Sequence, residues 1–128
     1  MKIKKNTYIW IGVFALLIIV PFGLFLYNQS TPGKLDAFAQ CLGEKDAVFY
    51  GAFWCPHCQT QKSFFGKSSK ELPYVECSTP DGQGRTQECI AKEINTYPTW
   101  EFADGERLLG EQSLATLAEK TGCELPAE

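Results

Sequence analysis

The amino-acid sequence predicts an α/β domain behind one N-terminal transmembrane helix, and three observations carry that reading. Twenty residues, Tyr8–Tyr27, contain no Asp, Glu, Lys, Arg or His. The remainder alternates helical and strand patterning in the order helix, strand, helix, strand, helix, hairpin, helix. Between the first strand and the helix that follows it stand Cys55-Pro56-His57-Cys58.

The N-terminal segment comes first. At about 1.5 Å per residue a helix of this length covers about 30 Å, the thickness of a hydrocarbon core. A cleaved secretory signal has a shorter apolar region followed by a small-residue cleavage site. Here the run leaves through Tyr27-Asn-Gln-Ser-Thr-Pro-Gly33, with no such triplet. The reading is therefore an uncleaved anchor over 8–27, in which Pro21 and Gly23 are tolerated as kinks. Lys2, Lys4 and Lys5 precede it, and the next basic residue is Lys34, so 1–7 is expected to be cytoplasmic. Everything beyond then lies outside the cytoplasm, in a periplasm, a lumen or at the cell surface. All 6 cysteines fall in that part, as suits an oxidising compartment. Without the three anchor lysines, 9 basic residues stand against 15 acidic ones, a balance of about −6 that excludes nucleic acid as a partner.

A Ser/Thr/Pro/Gly linker is expected over 28–34, and a single domain over 35–128. Leu35, Phe38, Ala39 and Leu42 mark one face of a helix over 34–45, with Cys41 off that stripe. Ala47–Trp54 is almost continuously apolar, as in a strand buried on both faces. A helix is expected over 59–70, with Phe64 and Phe65 as core contacts and Gly66 as a kink or end. Leu72–Cys77 reads as a second strand, 78–84 as a turn-rich loop, and 85–94 as a short helix with Cys89 and Ile90. Tyr97–Phe102 and Arg107–Leu109 flank Asp104-Gly105, a hairpin signal. Ser113 caps a last helix running to Lys120, with Leu114, Leu117 and Ala118 inward and Gly122 ending it.

The chemistry centres on 55–58. Two thiols at this spacing can form a disulfide with each other. A helix starting there aims free N–H groups and the positive end of its dipole at Cys55, which favours thiolate. Pro56 suits the first helical turn, where a missing N–H costs nothing. A structural disulfide or half of a zinc site is the alternative that the motif leaves open. For zinc, adjacent His57 and Cys58 are awkward ligands to one tetrahedral ion at a helix start, and the gaps to the other cysteines match no common spacing. No metal is expected.

The order of elements, Phe53-Trp54-Cys55-x-x-Cys58 at the end of the first strand, and Tyr97-Pro98-Thr99 opening the hairpin resemble the thioredoxin superfamily over Leu35–Cys123. Four strings resemble, more closely, the thioredoxin-like domain fused to bacterial and cyanobacterial homologues of vitamin K epoxide reductase. They are Phe-Ala-Gln-Cys41, Phe-Tyr-Gly-Ala-Phe-Trp-Cys-Pro-His-Cys58, Leu-Pro-Tyr-Val-Glu-Cys-Ser-Thr-Pro-Asp-Gly82 and Tyr-Pro-Thr-Trp-Glu-Phe102. The resemblance implies a thioredoxin fold, a central mixed sheet flanked by helices, and a protein disulfide oxidoreductase with no cofactor beyond a redox-active Cys55–Cys58 disulfide. Cys55 is then the nucleophile and Cys58 the resolving thiol. Pro98 forms a cis peptide bond against them, and Trp54, Tyr97 and Thr99 contact substrate. The Pro-His dipeptide is that of DsbA-type oxidases, with His57 expected to stabilise the Cys55 thiolate and make the disulfide more oxidising. Thioredoxin's buried acid is replaced by Phe49, which disfavours a reductase relying on it, and Glu76 is the nearest acidic residue.

The expected partners are reduced secreted or membrane proteins. Reoxidation is expected from a separate quinone reductase resembling vitamin K epoxide reductase or DsbB, because one spanning segment makes no quinone-binding bundle. The resemblance also favours pairing Cys77 with Cys89; Cys41 and Cys123, near the two ends of the domain, are expected to form a second structural bridge, and four cysteines allow three pairings. A reductase or isomerase using the same pair, a metal-binding module and a non-catalytic binding domain are the competing functions.

Overall fold

The computed structural model describes residues 5–127, so the expected flanking charges Lys2 and Lys4 lie outside the described residues. The chain divides into two units, Met1–Thr31 and Pro32–Glu128. In the first, helix α1 spans Lys5–Ser30 with Pro21 inside it. It continues through Ser30, into the stretch expected to be linker from 28. Its segment Asn6–Ser30 is long and apolar enough to cross a membrane, and its residues from Asn6 onward are exposed.

The second unit is a mixed α/β domain. Helix α2 (Asp36–Glu44) turns Phe38, Ala39 and Leu42 inward, as their spacing requires. Strand β1 (Val48–Gly51) is followed by helix α3 (Pro56–Ser63), a 3₁₀ turn over Gly66–Glu71 and strand β2 (Tyr74–Glu76). After helix α4 (Gln87–Ala91), strands β3 (Thr99–Glu101) and β4 (Arg107–Leu109) form the hairpin, and α5 (Leu114–Thr121) closes the domain. The sheet order is β2-β1-β3-β4, with β1 parallel to β2 and the other pairings antiparallel.

Alternation along β1 separates two cores. Phe49 stacks on its cross-strand partner Trp100, centroids 4.9 Å apart, within the larger core that includes Phe38, Leu42, Cys58, Phe65 and Leu117. Tyr50 belongs to the smaller core with Cys77, Cys89 and Ile94. The hairpin turn uses Gly105 at φ 81°, which an L side chain rarely adopts, and the Ser113 hydroxyl accepts the Thr116 N–H as an N-cap.

Three expectations about element limits are corrected. The first strand stops at Gly51, because the chain turns to let Cys55 N–H reach the Ala52 carbonyl at 3.0 Å; Phe53 and Trp54 are exposed rather than buried on both faces. The following helix starts at Pro56, where the cysteine motif is expected to open it, but ends at Ser63 and not at 70, with Gly66 beyond it at φ 52°. That break keeps Phe65 in the core, stacked with Phe38, and leaves Phe64 exposed. The short helix is confined to Gln87–Ala91, with Cys89 buried and Ile90 exposed.

Candidate functional site

The β1–α3 junction sets the geometry. Pro56 takes the first helical position, and Cys55 is the N-cap, whose sulfur accepts the Cys58 N–H at 3.4 Å. The cap position, more often filled by an oxygen, is here filled by sulfur, and it lies where a helix presents unpaired N–H groups. The Cys55 thiol in turn donates to the Tyr97 carbonyl at 3.8 Å. Tyr97–Pro98 is a cis peptide bond, and Pro98 is buried. One turn along α3, Cys58 faces the larger core with no exposed surface. Burial, reinforced by the hydrogen bond with Cys55, pushes its thiol up to about 12. Both Cys55 and Cys58 are free thiols.

Beside this pair lies a groove of about 360 Å³, lined by Trp54, the segment Gly82–Arg85, Asn95 and Tyr97. Its shape is built rather than incidental. Trp54 Nε1 donates to Ser78 at 2.9 Å, and its ring meets Tyr97 edge-on at 6.0 Å. The opposing wall is the turn-rich loop, closed by Thr79 contacts to Asp81 and Gly84 and anchored by the Cys77–Cys89 disulfide. A second disulfide, Cys41–Cys123, joins α2 to the chain just beyond α5.

The structure thus gathers Cys55, Cys58, Pro56, Pro98, Trp54 and Tyr97 in one place, and it departs from expectation at two residues. Among the described residues His57 makes no hydrogen bond to the Cys55 sulfur: from the second position of α3 its Nδ1 meets Glu111 Oε1 at 2.7 Å, with the imidazole 72% exposed. A pair so exposed contributes little. Thr99 does not line the groove either; it is buried, and its hydroxyl donates to the Thr96 carbonyl at 2.7 Å. Its alternation in β3 turns it inward opposite Tyr50.

Sequence reasoning missed Tyr74 and Lys62. The Tyr74 hydroxyl donates to Glu76 at 2.7 Å, and the Lys62 ammonium sits 3.5 Å from the centre of the Tyr74 ring. The only signal available for them was the acidic residue of the second strand. Among the described residues no three His, Cys, Asp or Glu side chains converge as a metal-ligand set.

No protein-family model matches the chain. It is 46% identical over 103 residues to thiol-disulfide oxidoreductase LTO1 of Arabidopsis thaliana, covering 77% of this chain. The chain spans about a quarter of that relative's length, 27%. At this identity the two are homologues, and the matched relative is by name a thiol-disulfide oxidoreductase.

Proposed function

We propose that the chain is a membrane-anchored, extracytoplasmic thiol-disulfide oxidoreductase with a thioredoxin fold, acting as an oxidase that donates a Cys55–Cys58 disulfide to reduced secreted or membrane proteins. The observation that carries this reading is the placement of two free thiols at the start of α3, one capping the helix and the other buried behind it. The helix end suits an anionic Cys55 sulfur, and stabilising the reduced pair makes its disulfide a stronger oxidant. The homology to a thiol-disulfide oxidoreductase supports the same chemistry.

In the donating direction a substrate thiolate, its backbone lying along the groove, attacks Cys55 Sγ. The Cys55–Cys58 bond breaks, Cys58 leaves, and a mixed disulfide joins substrate to Cys55. A second substrate thiolate attacks the substrate sulfur of that bond, forming the product disulfide and releasing Cys55 as thiolate. Two electrons then reside on the Cys55–Cys58 dithiol. They pass to a quinone-linked membrane protein of the vitamin K epoxide reductase or DsbB kind; α1, long and apolar enough to cross a membrane, keeps the domain within its reach, and the lysines ahead of it favour a cytoplasmic N-terminus.

The test is the potential of the 55–58 pair, measured in glutathione buffers with full-length protein in detergent. A value well above thioredoxin's, on the oxidising side, is expected. A value as low as thioredoxin's, about −270 mV, overturns the oxidase direction in favour of a reductase. With Cys58→Ser, mixed disulfides to many secreted proteins are expected, and one dominant membrane adduct would instead mark a dedicated relay.

A further inference from the structure

The groove beside Cys55 has two unlike walls. Trp54 and Tyr97 form an aromatic one, and Tyr97 also reaches the redox pair, because its carbonyl accepts the Cys55 thiol. The other wall runs from Gly82 to Arg85 and is joined by Asn95. Among the described residues that line the groove, Arg85 alone is charged. Without the three anchor lysines the chain holds 9 basic residues against 15 acidic ones, so this cation runs against the balance of the domain.

One nitrogen holds Arg85 in place. Its Nη1 donates to the Ile94 carbonyl at 3.0 Å and to Asn95 Oδ1 at 2.6 Å. Both acceptors are themselves fixed: the Ile94 N–H donates to the Cys89 carbonyl at 2.9 Å, and the Asn95 amide donates to the Glu93 carbonyl at 3.0 Å. Through Cys89 this anchor reaches the Cys77–Cys89 disulfide. The Arg85 backbone also bridges to Ser78, whose hydroxyl accepts the Trp54 indole N–H, so the two walls are tied together. Nε and Nη2 have no partner among the described residues, and no carboxylate pairs with the guanidinium. A clasp for the loop needs only Nη1. The two remaining nitrogens form the edge of the fork that takes both oxygens of a carboxylate, and a guanidinium already anchored has little freedom left to lose.

We infer that the groove selects polypeptides with an acidic side chain close to the reacting cysteine, and that Arg85 receives its carboxylate through Nε and Nη2. This rests on the oxidoreductase reading and names within it the class of substrate. A chain along the groove has its cysteine at Cys55, beside Tyr97, and a neighbouring side chain against the other wall, where Gly82 and Gly84 leave room for it. Diffuse repulsion from the acidic domain does not cancel the attraction. Charges spread over the surface are screened beyond about 8 Å at physiological salt, whereas a carboxylate on the fork is at contact. The pair is nevertheless exposed, which limits the preference to about three- to fivefold.

Full-length protein in uncharged detergent, with the 55–58 disulfide formed, is mixed with short reduced peptides that each carry two cysteines. A peptide gives up two electrons and two thiol protons as its own disulfide forms, and Cys55 and Cys58 take them up as thiols. One series places Glu at each position within about three residues of the first cysteine, and matched series place Gln or Lys there. Paired peptides compete in one reaction, and the masses of the products give the ratio of their kcat/KM values. Because the ratio is read within one preparation, any loss of folded protein cancels. A neighbouring Glu also alters the peptide thiol itself, but equally for every protein variant, so the reading is the change in ratio between variants. At one position or two adjacent ones, Arg85→Gln is expected to lower the Glu-to-Gln ratio about three- to fivefold, and Arg85→Glu to move the preference to Lys. Ratios that are the same in the unsubstituted protein and in Arg85→Gln at every position overturn the inference. Absence of disulfide transfer to any peptide overturns the oxidoreductase reading itself.

Discussion

Cys55 and Cys58 stand as free thiols around a helix N-terminus, one beside the groove and the other behind it, whereas Cys77 and Cys89 are closed into a disulfide within a small core of Tyr50 and Ile94. Cys41–Cys123 forms the third pair, at the edge of the larger core. The difference teaches that two cysteine pairs of one domain can have opposite surroundings. The 55–58 sulfurs have a groove beside them and a helix N-terminus at Cys55. The bridging pairs instead fasten segments: the groove wall to the sheet in one case, and the two ends of the domain in the other.

The sharpest way to break this contrast is Cys55→Ser. Disulfide transfer to a reduced protein substrate, followed by thiol titration, is expected to fall more than about a thousandfold, since without Cys55 there is no 55–58 disulfide for the substrate thiolate to attack. Thermal unfolding should hardly change. A surviving rate would mean that another pair carries exchange.

The converse substitutions should hit stability first. In the chain-entropy model the Cys41–Cys123 bridge, with a sequence separation of 82, is worth about 4–5 kcal/mol, and Cys77–Cys89, with a separation of 12, about 3 kcal/mol. Replacing either pair with alanine should lower the urea midpoint in that order. The 41–123 replacement should leave the exchange rate intact, but loss of 77–89 should also raise KM, because its loop forms the groove wall. Equal KM values in the two variants would separate the wall from substrate binding.

The smallest expected effect is a pH dependence. The Cys58 thiol is raised from 9.0 to about 12 in the folded state, so the folded protein holds this proton more tightly than the unfolded chain. That contribution to stability is fully present below pH 9 and is lost as pH rises through 12. Unfolding of the reduced protein, compared with Cys58→Ala, should therefore show the difference shrinking across that window. An unchanged difference would mean that Cys58 is less deeply desolvated than its position implies.

Much of the domain was legible because its signals are local. Phe38, Ala39 and Leu42 recur at helical spacing, Asp104-Gly105 carries its own turn preference, and Ser113 and Gly122 bracket a helix by capping chemistry alone. The limits of β1 were less legible, since an apolar run does not say where the chain will turn; Phe53 and Trp54 belong to the groove side, not the core. Phe64 and Phe65 were indistinguishable until the helix ended at Ser63 and left one of them against Phe38.

By itself the sequence determined the apolar N-terminal segment, the order of elements and the spacing that lets Cys55 cap a helix containing Cys58, because each depends on neighbours in the chain. Tertiary structure alone decided what those sulfurs face. His57 went to Glu111, across 54 positions of sequence, and Thr99 went inward. Tyr74 came to rest over Gly51 beside Cys58 only because β2 pairs in parallel with β1 in one register. A shift of that register by one residue would turn Tyr74 and Glu76 to the opposite face, which is why no reading of residues in order could have placed them.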